Sequence, residues 1–438
     1  MKTPICDFIE RYNEKSPARL HMPGHKGISL LGCEYADITE ITGADALYSA
    51  DGIIRQSEEN ASRLFGCESF YSAEGSSLCI RAMLYLLKTY GITRVISARN
   101  AHSSFLSACA LVDITPIWLY GRENAYLSCD IDPNTLEALV KESDEPTALY
   151  ITSPDYLGNL ADIKGFSALC KRYNVLLCVD CAHGSYLKFL NPSQYPTDLG
   201  ADICCSSAHK TLPVLTGGAY LHISHSADSF FAENAKRALM LFGSTSPSYI
   251  ILQSLDKVNL LLESDFPKAL AEFLPIAEQA RQRLAENGYT LCGGEPLKLT
   301  VSAKKYGYLG EELARILESY GIYIEFSDAD YLVLMLSPLD APSLTRALDV
   351  LCAIEKKSEI CIPAPAPARA EIALSPREAI MARSEKTNIH DSVGRILSQP
   401  SISCPPAVPI AVCGEIITDT AVKCFEYYRI TEIYTVKE

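Results

Sequence analysis

The sequence lacks any run of eighteen apolar residues, so no helical membrane span is expected. Its first residues, Met1-Lys2-Thr3-Pro4-Ile5-Cys6-Asp7, contain no apolar core of the kind a secretory signal needs. It also lacks a surplus of basic residues. Against 53 Asp and Glu stand 39 Lys and Arg, a formal charge of −14, and phosphate backbones reward the opposite sign. Neither a nucleic acid nor a membrane is therefore an expected partner, and the cytoplasm is the expected setting. The seventeen cysteines are scattered, many inside apolar runs (Cys178, Cys204, Cys205, Cys352), where a free thiol packs as a small hydrophobe. Cys178-Val179-Asp180-Cys181 has redox spacing, but no second pair completes a zinc site. His21 and His25 have no carboxylate or cysteine at ligand spacing, and no metal is expected. No internal repeat is found.

What is present is ordinary globular material: 438 residues, 48% apolar and 21% charged, enough for two or three domains with sizeable cores. A short helix, Ile5 to Asn13, precedes a shaped loop, Arg19-Leu20-His21-Met22-Pro23-Gly24-His25-Lys26-Gly27. An amphipathic helix is predicted from Gly52 to Leu64. Next come a strand at Ser69-Phe70-Tyr71, the turn Ala73-Glu74-Gly75-Ser76-Ser77, and a helix from Leu78 to Tyr90. Strand, Gly-Ser-Ser and helix is an arrangement that holds an anion on helix amides and hydroxyls. Strands are then predicted at Arg94 to Ser97, Ile117 to Leu119, Ala148 to Thr152 and Val175 to Val179, with helices at Pro133 to Lys141 and Ile163 to Tyr173. Alternation of this kind predicts an α/β fold with a mainly parallel sheet and functional residues at strand ends. Asp180-Cys181-Ala182-His183-Gly184 lies at one such end, and Asn100-Ala101-His102-Ser103-Ser104 at another.

A further strand pattern, Ala201 to Cys205, delivers Ser206-Ser207-Ala208-His209-Lys210-Thr211. Desolvation lowers an amine's pKa, and amines tuned this way form Schiff bases with carbonyls, including that of pyridoxal phosphate. A strand from Leu215 to Ile223 leaves the lysine. Beyond it lie Gly243-Ser244-Thr245-Ser246-Pro247-Ser248-Tyr249 with a following helix, a long helix from Ala269 to Glu286, and an apolar strand Leu332 to Leu336. The segments read as residues 1–33 with the His-Met-Pro-Gly-His loop, a large domain 34–265, a small α/β domain 266–361, a Pro/Ala linker 362–370, and a C-terminal domain 371–438 that opens on a Ser375-Pro376 helix start.

In order, Gly75-Ser76-Ser77, His102, Asp180 with His183, and Ser207-Ala208-His209-Lys210 resemble the fold-type-I pyridoxal-phosphate enzymes. Adding His21-Met22-Pro23-Gly24-His25-Lys26-Gly27, Thr39-Glu40-Ile41, Lys210-Thr211-Leu212-Pro213, Thr245-Ser246-Pro247-Ser248-Tyr249 and the ending Gly414-Glu415, the chain closely resembles the Orn/Lys/Arg decarboxylase family. The resemblance implies an aspartate-aminotransferase-like large domain with a smaller C-terminal α+β part, and pyridoxal phosphate as cofactor. Lys210 would form the internal aldimine, Asp180 would pair with the ring nitrogen, and His102 would stack on the ring. Gly75, Ser76, Ser77, Ser207 and His209 would hold the phosphate, Thr245 or Ser246 would reach it across a dimer interface, and His183 would lie nearby. His25 and Glu415 are the expected substrate contacts. The implied reaction is decarboxylation of a basic amino acid, arginine slightly ahead of lysine or ornithine, in polyamine biosynthesis. Chain length before the Pro-Gly-His loop matches the compact form without an N-terminal receiver-like domain, which implies a homodimer or small homo-oligomer.

Two departures stand out: Cys181 replaces an acidic residue, and the tail reads Pro405-Pro406-Ala407-Val408-Pro409 and Val412-Cys413-Gly414-Glu415. Transamination or aldol-type cleavage on the same scaffold is the first alternative. Aminotransferases commonly use a late arginine clamp, and Arg369, Arg377, Arg383 and Arg395 sit in no such pattern. A non-catalytic binding or regulatory relative is the second.

Overall fold

The computed structural model describes residues 1–121, 130–142, 144–403 and 409–437. The tail residues Pro405 to Val408 lie outside the described residues. Seven strands form the main sheet: β1 (Glu68–Ser72), β2 (Arg94–Ala98), β3 (Pro116–Leu119), β4 (Thr147–Thr152), β5 (Leu176–Asp180), β6 (Ile203–Ser206) and β7 (Ala219–Ile223). Their order is β1-β7-β6-β5-β4-β2-β3, and the sheet is mainly parallel. β5 and β6 run parallel, whereas β7 is antiparallel to both β6 and β1. The chain is thus the α/β fold expected from alternating strands and helices.

The chain divides into two compact units. The first comprises Met1–Val95, Ser143–Ile151 and Ile163–Pro267; the second comprises Ile96–Glu142, Thr152–Asp162 and Lys268–Glu438. Both gather non-contiguous stretches, a grouping that linkers in sequence do not announce.

In the first unit, helix α1 (Pro4–Glu14) begins with Pro4, whose missing N–H costs nothing at that position. Thr3 offers no side-chain cap. Asp256, on the distant helix Tyr249–Glu263, accepts the Ile5 and Cys6 amides at 3.0 Å each, and the Ser57 hydroxyl at 2.6 Å. One buried carboxylate therefore holds the head of α1 against α2 (Ile53–Phe65), whose apolar stripe includes the buried Ile54, Ala61 and Phe65. Helix α3 (Gly75–Tyr90) follows β1 and is buried along most of its length, including Leu78, Met83 and Leu87. A helix at Ser229–Phe242, capped by Asp228, lies where no element was predicted. The predicted strand from Leu215 is shorter than expected. Leu215 to Gly218 turn, and β7 starts at Ala219; Gly217 adopts φ +101°, and a Cβ added there would lie 2.8 Å from the Ala73 carbonyl oxygen.

In the second unit, helix α4 (Ser103–Val112) follows β2. A four-stranded antiparallel sheet is ordered Phe326–Ser327, Tyr331–Met335, Lys298–Ser302, Leu291–Cys292. The C-terminal part has its own core, in which Leu397, Ile417, Cys424, Phe425 and Ile433 pack together. The helix Pro376–Met381 starts with a reciprocal Ser375–Glu378 capping box, as Ser-Pro suggests.

Candidate functional site

The residues singled out in sequence fall in both units. In the first unit, β5 ends at Asp180 and β6 at Ser206, neighbouring parallel strands in which Asp180 pairs in register with Cys205. A single helical turn, Ala208–Thr211, carries His209 and Lys210 directly past β6. Parallel strands thus deliver the carboxylate and the amine at the same sheet edge, as a doubly wound sheet does for its ligands.

Asp180 is 2% exposed. Its carboxylate accepts hydrogen bonds from the Tyr150 hydroxyl at 3.2 Å, the Ala182 amide at 3.2 Å and the Cys205 thiol at 3.7 Å. Burial, and then the Asp180 charge, push the Cys205 thiol well above its ordinary value, so it serves as a neutral donor. All three partners are neutral, and among the described residues Asp180 makes no ion pair. A buried carboxylate is stable as an anion when a cation meets it. A protonated pyridine nitrogen is such a cation, so the residue fits a pyridoxal ring.

Lys210 is half-buried, with Nζ 3.1 Å from His183 Nε2. His183 is itself buried and is carried by the turn after β5. The head of α3 stands beside this turn. The Ser207 hydroxyl donates to Ser76 Oγ at 2.9 Å, the Gly75 amide donates to the Gly217 carbonyl at 2.7 Å, and His209 Nδ1 lies 3.0 Å from the Gly218 carbonyl. Glu74 does not cap α3; its Oε1 instead accepts the Ser244 amide at 2.6 Å. The exposed Thr245 and Ser246 therefore lie next to a residue anchored at the head of α3 in their own chain. Helix amides, Ser76, Ser77, Ser207 and His209 together make a donor set suited to a phosphate.

The N-terminal loop holds itself. His25 Nδ1 accepts the Gly27 amide at 3.0 Å, which leaves the Nε2 proton to donate to Asp37 at 3.2 Å. Glu34 accepts the amides of Leu30, Leu31 and Gly32, and these bonds hold its carboxyl at about 2.

In the second unit, His102 is exposed and is the N-cap of α4. Its Nδ1 accepts the Ser104 amide at 3.2 Å, an assignment that puts the ring proton on Nε2. Glu415 is 1% exposed, and its Oε2 lies 2.8 Å from Arg99 Nη2 while also accepting the Val412 amide at 2.9 Å. Gly414 before it adopts φ +87°, and a Cβ there would meet the Leu374 carbonyl at 2.0 Å.

Three residues of these arrangements escaped the sequence reading. Tyr150 reads as one more apolar strand residue, although a buried tyrosine hydroxyl always calls for a partner. Arg99 follows β2 without punctuation, and nothing local reveals that its partner lies 316 positions away. Gly217 is visible only as half of a Gly-Gly pair.

The family model described as Orn/Lys/Arg decarboxylase, major domain, matches residues 3–293. An arginine decarboxylase of Halalkalibacterium halodurans is 29% identical over 455 residues, covering 96% of this chain and 92% of the relative. An arginine decarboxylase of Bacillus subtilis is 28% identical over 459 residues, covering 95% and 92%. Among solved structures, the constitutive lysine decarboxylase of Escherichia coli superposes with a TM-score of 0.80 at 18% identity, covering 100% of this chain and 82% of that one. At that identity the likeness concerns the fold.

Proposed function

The chain belongs to the Orn/Lys/Arg decarboxylase family, and from that premise we propose that it converts a basic amino acid to its amine and carbon dioxide with pyridoxal phosphate. Arginine is favoured over lysine and ornithine, since the two relatives described above, which match most of the chain, carry the name arginine decarboxylase. The observation that carries the reading is the buried Asp180 carboxylate, held by three neutral donors beside the strand end that bears Lys210.

When bound, the cofactor supplies a sink for the electron pair left behind as the substrate carboxylate departs. Lys210 would hold the cofactor through its Nζ and would be the group that carries a proton to the substrate carbon. His183 Nε2, at 3.1 Å, directs that amine. Asp180 keeps the ring nitrogen protonated through a charge-assisted hydrogen bond. Ser76, Ser77, Ser207 and His209, with the head of α3 from Gly75, hold the phosphate. His102 would meet the ring, and Thr245 or Ser246 would help hold the phosphate of a neighbouring subunit. The protein's share is orientation and electrostatics.

Three of the four late arginines support decarboxylation over transamination. Arg369 stacks on Tyr120 at 4.4 Å, Arg377 donates to the Ala110 and Leu111 carbonyls, and Arg395 pairs with Glu385. Each is engaged within its own unit. Exposed apolar residues on the N-terminal loop, Leu20 at 96%, Leu30 at 80% and Leu31 at 88%, support a homodimer in which a second copy covers them. No helix among the described residues is long and apolar enough to cross a membrane, and the cytoplasm is the proposed setting.

The test is a substrate panel. Protein incubated with pyridoxal phosphate and arginine, lysine or ornithine is expected to release carbon dioxide and amine, fastest from arginine. Keto acid without gas overturns the reading in favour of transamination. Absence of any cofactor absorption band overturns it in favour of a binding subunit.

A further inference from the structure

Helix α4 is held at both ends by residues from the C-terminal part of the chain. Ahead of its first turn, Arg99 is 8% exposed and pairs with Glu415 at 2.8 Å. The guanidinium lies 5.1 Å from the centre of the Trp118 ring and 5.7 Å from that of Tyr120, so aromatic faces fix the direction from which the carboxylate meets it. The Glu415 carboxylate is fixed in turn by the Val412 amide and by the Gly414 turn, where no other residue fits. Between Arg99 and His102 stand only Asn100 and Ala101, both buried. At the far end of α4, the helix Pro376–Met381 packs alongside. Its Arg377 donates to the carbonyls of Ala110 at 3.1 Å and Leu111 at 3.3 Å, in the last turn, where the helix dipole favours a cation.

These contacts bracket the one residue of α4's approach to which chemistry has been given. We propose that Glu415 is a positioning residue for His102: through Arg99 it fixes the 99–102 segment, while Arg377 sets the axial position of α4. This gives Glu415 a task other than meeting the substrate, since its Oε2 is already engaged by Arg99 and the Val412 amide. The C-terminal part is then a component of the cofactor-stacking apparatus and not an appendage joined by a proline-rich linker. The proposal rests on the ring-stacking role given to His102 above.

The test is a double-substitution cycle read by cofactor affinity, measured from the absorption of pyridoxal phosphate titrated into the full chain. His102→Ala and Glu415→Ala are each expected to weaken that affinity about tenfold, as loss of supporting contacts commonly does. The double variant is expected to match His102→Ala alone, because Glu415 acts only through the imidazole. Arg377→Ala, which empties no buried ion pair, is taken through the same cycle and is expected to behave alike with a smaller single effect. It carries the test should Glu415→Ala fail to fold. Multiplicative losses in both double variants overturn the proposal and leave His102's role standing. Unchanged affinity in His102→Ala overturns that role and the proposal with it.

Discussion

Two regions of the molecule treat a buried carboxylate in opposite ways. Glu415 is matched by Arg99, an ion pair whose members are 1% and 8% exposed. Asp180 is equally buried but is surrounded by a phenol, an amide and a thiol. The first arrangement carries its countercharge within the chain, and the chain uses it to hold a helix. The second has donors enough to keep a carboxylate in place and, among the described residues, no countercharge, which is how a protein prepares a place for a cationic ligand atom. Charge matched inside the fold marks self-support; charge left for a partner is what the proposed site rests on.

That contrast is broken or sharpened by substitution. The largest effect is expected for Lys210→Ala, a fall in turnover of about 10⁴-fold or more with the fold intact by circular dichroism. Near-normal turnover breaks the assignment of the amine. Asp180→Asn should cost about 10³-fold in kcat. Because it removes an uncompensated buried charge, it should leave the thermal stability of the cofactor-free protein unchanged or raised. Arg99→Met must do the reverse to stability. It strands the Glu415 carboxylate, and a loss of about 3–5 kcal/mol by denaturant titration is expected. If Asp180→Asn and Arg99→Met lower stability alike, the two carboxylates are equivalent and the comparison fails. Tyr150→Phe removes one neutral donor and should cost about 1 kcal/mol, read as a several-fold loss of kcat with little change in KM. The smallest effect concerns Cys205. Its raised thiol should resist alkylation at pH 8 in the folded protein, while the exposed Cys33 and Cys361 react; equal rates contradict the account of its environment.

Much of this was legible in the sequence, for reasons that are physical. Helix Pro133–Lys141 has its start legible in sequence because Asp132 caps it and Pro133 occupies its first position. Strands β4 and β5 announce themselves as short apolar runs because both faces are covered. Asp180, His183, Ser207 and Lys210 are visible because they stand where those runs stop. Spatial pairings between remote positions left no such trace. The Arg99–Glu415 pair and the Arg377 contacts join residues hundreds of positions apart, and a lone arginine after a strand looks like any solvated one. Helix Ser229–Phe242, capped by Asp228, has an amphipathic pattern that the reading of the sequence passed over. The strand expected from Leu215 was overextended because Gly217-Gly218 marks a turn that an apolar neighbourhood disguises.

The account stands most directly on where the cofactor is held. Protein loaded with pyridoxal phosphate, reduced with borohydride, digested and mapped by mass spectrometry is predicted to carry the pyridoxyl group on Lys210. Attachment to any other lysine, with Lys210 unmodified, would contradict it.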